Sequence, residues 1–315
     1  IHLYLQTGQY AALRAVVDAR VAAFPGRKAA EDARAALTPF LGLPDQTTAR
    51  SSASTLRHGG DLRLPVSING HAASFFWDTG AGISVMSEAE ARRLGLEVRG
   101  ERGKVATITG RDVGLHMAVA RELVVGDVVL HDVSFGLTPD DQEPWSTVPV
   151  GQRGLLGVPV LVALHRFRWS TDGTMQFGAP SSAPRSVPNL YFDNDHLIVA
   201  AAFEQRRMPL TLDTGAITTD LDTGFADMYP ALIASGTKVT REIRGVGHAE
   251  TFEGISLPEL TIRVGGVDTV LRPAVVALGL RGPRQTVGNL GLDLLRQSRA
   301  FTVDFDTMTL ALESR

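Results

Sequence analysis

The sequence predicts a mainly β chain in which two β lobes repeat one another behind a small α-helical hairpin. Three observations carry this. Residues 1–44 place apolar side chains at helical spacing, whereas beyond residue 60 the texture changes to short alternating apolar runs bounded by turn residues. Landmarks of the first β region then return 134 or 135 residues later. At 315 residues, 44% hydrophobic and 21% charged, the chain is long enough to bury a sizeable core and unlike a disordered or fibrous protein.

The helical part runs from Gln9 to Phe40, with Ala12, Val16, Val17 and Val21 on one stretch and Ala30, Ala33, Leu37 and Phe40 on the next. Pro25-Gly26 breaks them apart. Gly8-Gln9-Tyr10-Ala11-Ala12 loosely resembles a tetratricopeptide unit, but a single helix pair has no neighbouring repeat to cover its apolar face. Three roles are open to these helices: docking on the β lobes, inhibition, or recruitment of a partner. Residues 45–60 are small and polar, the composition of a linker. The first lobe is assigned to residues 61–180. It opens with Leu62 to Ile68, then Asn69-Gly70, then Ala72 to Trp77, a strong hairpin signal because Asn and Gly both tolerate the positive φ of a type I′ turn. Prolines and serines mark a second linker at residues 181–189, and the second lobe is assigned to residues 190–315.

The repeat is the most informative feature. Phe76-Trp77-Asp78-Thr79-Gly80-Ala81 returns as Thr211-Leu212-Asp213-Thr214-Gly215-Ala216, and Gly154-Leu155-Leu156-Gly157 as Gly288-Asn289-Leu290-Gly291. Between them, Ile108-Thr109-Gly110 matches Ile243-Arg244-Gly245. A third Asp-Thr-Gly, at Asp222, falls opposite Ser87 in this register, where both residues suit a helix N-cap. Asp222 is therefore read as structural and Asp78 and Asp213 as the functional pair. Asp-Thr-Gly is also ordinary turn chemistry, so the weight rests on its recurrence with the glycine segments.

Residues 57–315 resemble the retropepsin-like aspartic proteases, with two Asp-Thr-Gly-Ala motifs in one chain as in a fused retropepsin dimer or a bilobal pepsin-like enzyme. The resemblance implies two pseudo-symmetric β-barrel lobes and an aspartic endopeptidase with Asp78 and Asp213 as its catalytic dyad. Two carboxyls about 3 Å apart cannot both ionise, so they share a proton and serve as base and acid toward one water. Thr79 and Thr214 are expected to hydrogen-bond across the interface, while Gly80 and Gly215 let backbone amides approach the carboxylates. Ala81 and Ala216 stand where pepsin-like relatives carry a hydroxyl. Loss of that hydrogen bond raises a carboxylate's pKa, so the expected optimum is mildly acidic rather than strongly so. The segments around Gly110 and Gly245, from Lys104 to Val113 and from Val239 to His248, resemble flaps, and their other reading is a plain hairpin. Asn289 in place of an apolar residue and Pro159 in the helix after the first glycine segment depart from the family pattern.

Other function classes find little support. Net charge is −3, from 31 basic and 34 acidic side chains without a long single-sign run, which argues against a nucleic-acid partner. No apolar run is long enough to span a bilayer. With no cysteine, thiol chemistry is absent. The eight histidines, His2, His58, His71, His116, His131, His165, His196 and His248, show no pair at metal-ligand spacing along a helix. No metal and no cofactor is expected. The acidic stretch Thr138 to Trp145 reads as a solvated loop, or else as a substrate rim with an exposed aromatic. The expected partner is a peptide or protein substrate, and the chain is expected to act as a monomer. A noncatalytic peptide-binding module on the same fold is the competing class. The opening Ile1 leads us to expect that a preceding segment was removed, and a periplasmic or secreted location over a cytoplasmic one.

Overall fold

The computed structural model describes residues 1–106, 112–180, 187–245, 248–281 and 286–315. Its architecture is mainly β, in three sheets behind N-terminal helices α1 (His2–Gln6), α2 (Tyr10–Ala23) and α3 (Lys28–Leu37).

In the first half an eight-stranded sheet runs in the order Thr47–Arg50, Val128–Thr138, Ser84–Ser87, Gly154–Leu156, His71–Trp77, Arg63–Ile68, Asp112–Val125, Glu97–Ala106. An added pairing of Asp112–Val125 with Val128–Thr138 closes it on itself. Asn69 and Gly70 form the expected turn at φ 50° and 81°, joining Arg63–Ile68 to His71–Trp77. The second half repeats the central part. Arg206–Leu212 lies parallel to Gly288–Leu290, as His71–Trp77 lies parallel to Gly154–Leu156, and Asp220–Leu221 takes the place of Ser84–Ser87.

A third, five-stranded sheet is drawn from both halves, in the order Ser54–Arg57, Thr174–Phe177, Arg166–Ser170, Ala300–Asp304, Thr309–Glu313. Its junction pairs Arg168 with Thr302, and Trp169, paired with Phe301, stacks on that ring at 5.5 Å between centroids. The main apolar core, including Trp77, Phe167, Leu212 and Phe301, runs through both halves.

Two sequence expectations are corrected here. Residues 45–60, expected as a linker, supply strands Thr47–Arg50 and Ser54–Arg57, paired with Val128–Thr138 and Thr174–Phe177. Edge strands join through their backbones and need no apolar alternation, and all four side chains of Thr47–Arg50 are exposed. The buried face of α2 is Tyr10, Leu13 and Val17 rather than Ala12 and Val16, the latter being exposed. That i, i+3, i+7 stripe holds the larger side chains, which remove more apolar area from water. With Phe40 and Leu43 it packs against Met117 and Val119 of strand Asp112–Val125, so the β sheet covers the face that a second helical repeat would otherwise cover. Gln6, buried at the end of α1, donates its amide N–H to the Asn194 carbonyl of the second half (2.5 Å), tying the helices to both halves. No helix among the described residues is long and apolar enough to cross a membrane.

Candidate active site

Asp78 and Asp213 each leave the end of a strand at the same point of the repeat. The Asp78 amide donates to the Leu156 carbonyl and the Asp213 amide to the Leu290 carbonyl, both at 3.0 Å. Each loop then turns at Thr-Gly-Ala and is fastened to its glycine segment: Ser84 Oγ accepts from the Gly157 amide (3.0 Å), and Thr219 Oγ1 from the Gly291 amide (2.9 Å). The repeat register sets Ser84 opposite Thr219, a signal in the sequence that motif reading passed over.

The loops meet head to head. The Thr79 amide donates to Thr214 Oγ1 and the Thr214 amide to Thr79 Oγ1, both at 3.0 Å. Each hydroxyl in turn donates across the interface, Thr79 to the Leu212 carbonyl (2.7 Å) and Thr214 to the Trp77 carbonyl (2.8 Å). Both threonines are buried, so these polar groups satisfy one another where water does not reach them. A Cβ on Gly80 would lie 2.5 Å from Asp213 Cγ, and one on Gly215 would lie 2.5 Å from Asp78 Oδ2. The two carboxyls therefore occupy the space that each opposing glycine leaves empty, and any larger residue would drive them apart.

Gly80 donates its amide to Asp78 Oδ1 (2.8 Å); Gly215 and Ala216 donate theirs to Asp213 Oδ1 (2.8 and 3.1 Å). Burial pushes the Asp78 carboxyl well above the usual carboxylate range, the charge and hydrogen bond of Asp213 push the same way, and the amides of Gly80 and Ala81 oppose them. A further donor was not foreseen: Asn289 Nδ2 reaches Asp213 Oδ2 at 2.7 Å. The substitution was visible in the sequence, but its direction toward the carboxylate was not.

The remaining expected residues fall as follows. Asp222 caps helix Thr223–Met228, accepting from the Gly224 amide (2.6 Å), and Ser87 caps Glu88–Arg93, accepting from the Glu90 amide (3.2 Å). Pro159 sits in the first turn of Val158–Ala163, where its missing N–H costs nothing. Ile108, Thr109 and Gly110 lie outside the described residues, although the strands leading to them, Glu97–Ala106 and Asp112–Val125, are antiparallel partners. Ile243, Arg244 and Gly245 end strand Thr237–Gly245, paired with Glu250, Ala249 and His248. Trp145, expected to be exposed, is buried at 2% exposure with its indole N–H donated to Thr138 Oγ1 (2.6 Å), so this aromatic fills the loop interior rather than a substrate rim. Among the described residues no group of three or more His, Asp or Glu side chains is placed to hold a metal ion.

The chain is similar to known proteins in sequence and in fold. The sequence pattern of a family described as aspartyl protease matches residues 64–160. The aspartic proteinase from Irpex lacteus is similar in structure, with a TM-score of 0.52 at 12% identity over 84% of this chain and 97% of that one. A retropepsin-like aspartic protease from Rickettsia conorii matches 42% of this chain and 94% of its own at 15% identity, with a TM-score of 0.30. No curated protein sequence matches the chain. The fold is the aspartic protease fold.

Proposed function

We propose that this chain is an aspartic endopeptidase that hydrolyses peptide bonds with a water held between Asp78 and Asp213. The observation that carries the reading is the interleaving of the two Asp-Thr-Gly loops, with each threonine locked to the other half and each carboxyl set in the gap left by the opposing glycine. That arrangement concentrates two mutually repelling acids at one point, an expense that a binding module has no reason to bear.

In the reaction the ionised member of the pair takes a proton from the water, whose oxygen attacks the scissile carbonyl carbon. The protonated member donates its hydrogen to the carbonyl oxygen. Collapse of the tetrahedral intermediate breaks the C–N bond as a proton reaches the leaving nitrogen. The fixed loops supply position and avoid reorganisation during the step. The hairpins Glu97–Ala106 with Asp112–Val125, and Thr237–Gly245 with His248–Leu257, are suited to close over an extended peptide, whose backbone they would meet with their own.

The test is cleavage of a mixed peptide library from about pH 3 to pH 8, with the intact chain beside its Asp213→Asn variant. Cleavage by the intact chain, lost in the variant, is expected, with a mildly acidic optimum. Equal cleavage by both would remove Asp213 from the chemistry, and cleavage by neither would remove the peptidase reading.

A further inference from the structure

The two halves repeat each other closely around the acids, yet at one position they differ in kind. Leu155 pairs with Phe76 in the first half, and Asn289 pairs with Thr211 at the same place in the second. An aliphatic side chain can only pack there, whereas the amide of Asn289 reaches Asp213 Oδ2 at 2.7 Å. Its own Oδ1 is buried and has no hydrogen-bond partner. An amide that leaves one end unsatisfied in order to bond the other to a carboxylate is committed to that carboxylate.

The outcome is an uneven pair. Both oxygens of Asp213 face N–H donors: Oδ1 those of Gly215 and Ala216, Oδ2 that of Asn289. Asp78 receives backbone amides, those of Gly80 and Ala81, and among the described residues no side-chain amide. Donors favour the ionised form of a carboxyl. On the elements around Asp213, Arg206 and Arg207 lie over the rings of Tyr229 and Tyr191. Asp220 is held by Arg241 (2.6 Å), and Asp293 Oδ1 accepts the amide and hydroxyl of Thr219. The charge that acts on Asp78 is that of Asp213.

We infer that Asn289 is a positioning residue that keeps the negative charge of the pair on Asp213 and the shared proton on Asp78. Asp213 is then the base toward water, and Asp78 the acid toward the substrate carbonyl. This rests on the reading of the two aspartates as the reacting pair. The opposite arrangement, with the amide turned so that Oδ1 accepts a proton carried by Asp213, assigns the roles the other way round.

Two measurements on the full chain decide between them. The first is the pH profile of kcat/KM for a cleaved peptide, in the native chain, in Asn289→Leu, which copies Leu155, and in Asn289→Leu combined with Leu155→Asn. In Asn289→Leu the acid limb is expected to move up by about one pH unit, whereas a purely structural loss would lower the whole curve without moving it. The double variant is expected to return the limb toward its native position by supplying the amide to Asp78 instead. The second measurement is carbon-13 NMR titration of the aspartate carboxyls in chain labelled at aspartate, with the signals assigned through Asp78→Asn and Asp213→Asn. The higher titration step of the pair is expected at Asp78, and this readout needs neither activity nor an Asn289 variant. A lower step at Asp78, or an unmoved acid limb in a folded and active Asn289→Leu chain, would overturn the inference. If no peptide is cleaved while the higher step lies at Asp78 and falls toward the other in Asn289→Leu, the peptidase reading fails and the assignment of Asn289 stands.

Discussion

The two hairpins that flank the acids occupy equivalent places in the repeat but are held by different physics. Strand Asp112–Val125 of the first is backed by the helical segment, through Met117 and Val119 against Tyr10, Leu13, Val17, Phe40 and Leu43, and the same cluster takes in Ile83 from the loop just past Asp78. The second places Ile255 and Leu257 in the common core and is tied to its own loop by a cation. Arg241 in strand Thr237–Gly245 grips both oxygens of Asp220 (2.6 and 3.0 Å) and donates to Thr218 Oγ1 (2.6 Å), in the loop just past Asp213. Ile83 and Thr218 are equivalent positions, so each hairpin is tied to its own acid-bearing loop at the same residue. A fold can thus keep its two-fold geometry while the tie from hairpin to loop is apolar on one side and a charged fork on the other, and the two ties differ in directionality and in sensitivity to salt.

Breaking the apolar side should give the larger effect. Leu13 is fully buried, and Leu13→Ala is expected to cost about 2–5 kcal/mol, read as a lower denaturant midpoint. Amide hydrogen exchange is expected to accelerate over residues 112–125 and to be unchanged over 237–257. Equal acceleration in both hairpins would mean that they form one cooperative unit and that the distinction drawn above is empty.

Arg241→Ala is expected to cost about 1–3 kcal/mol, chiefly because a partly buried Asp220 loses its charged donor. Its exchange signature should be the reverse, confined to 237–257. In the native chain, 1 M salt should weaken this hairpin and spare the first, since screening reaches an ion pair and not an apolar contact.

The smallest effect concerns the acid of the first half. Asp78 has its pKa raised by burial and by Asp213, so the folded chain keeps a proton that the unfolded chain releases near pH 4. Stability therefore falls as pH rises from that point through the raised value. Asp78→Asn, which carries no charge in either state, should melt a few degrees higher than the native chain at pH 7 and lose the advantage below pH 4. A melting temperature that drops at neutral pH would show that the carboxylate is not a source of strain.

Much of this was legible in the sequence because it repeats. The register of the two Asp-Thr-Gly-Ala motifs sufficed to pair Asp78 with Asp213, to set the third Asp-Thr-Gly aside as a cap and to place both glycine segments. Local turn chemistry was legible where the residues were distinctive, as at Asn69-Gly70. It was silent at the equivalent turn of the second half, where Glu204 and Gln205 adopt φ of 47° and 64° without glycine or asparagine, a conformation imposed by the strands on either side. The edge strands of residues 45–60 and the inward face of Trp145 depend on partners 70 or more residues away or on side-chain direction, and neither leaves a periodic trace. Asn289 belongs to the same class: its identity was plain, and only the three-dimensional approach of two strands turns it toward Asp213.

The five-stranded sheet shared by the two halves bears on how the chain is made. Its central pairing joins Arg166–Ser170 to Ala300–Asp304, so during synthesis Phe167 and Trp169 leave the ribosome long before the strand that covers them exists. Closing a loop of that length delays the pairing, and until then a nascent first half presents an open, aromatic strand edge of the kind that aggregates or attracts chaperones. Synthesis of the strands through Thr309–Glu313 then closes this sheet, and chains that terminate before them should accumulate as insoluble material rather than as a half-sized soluble domain.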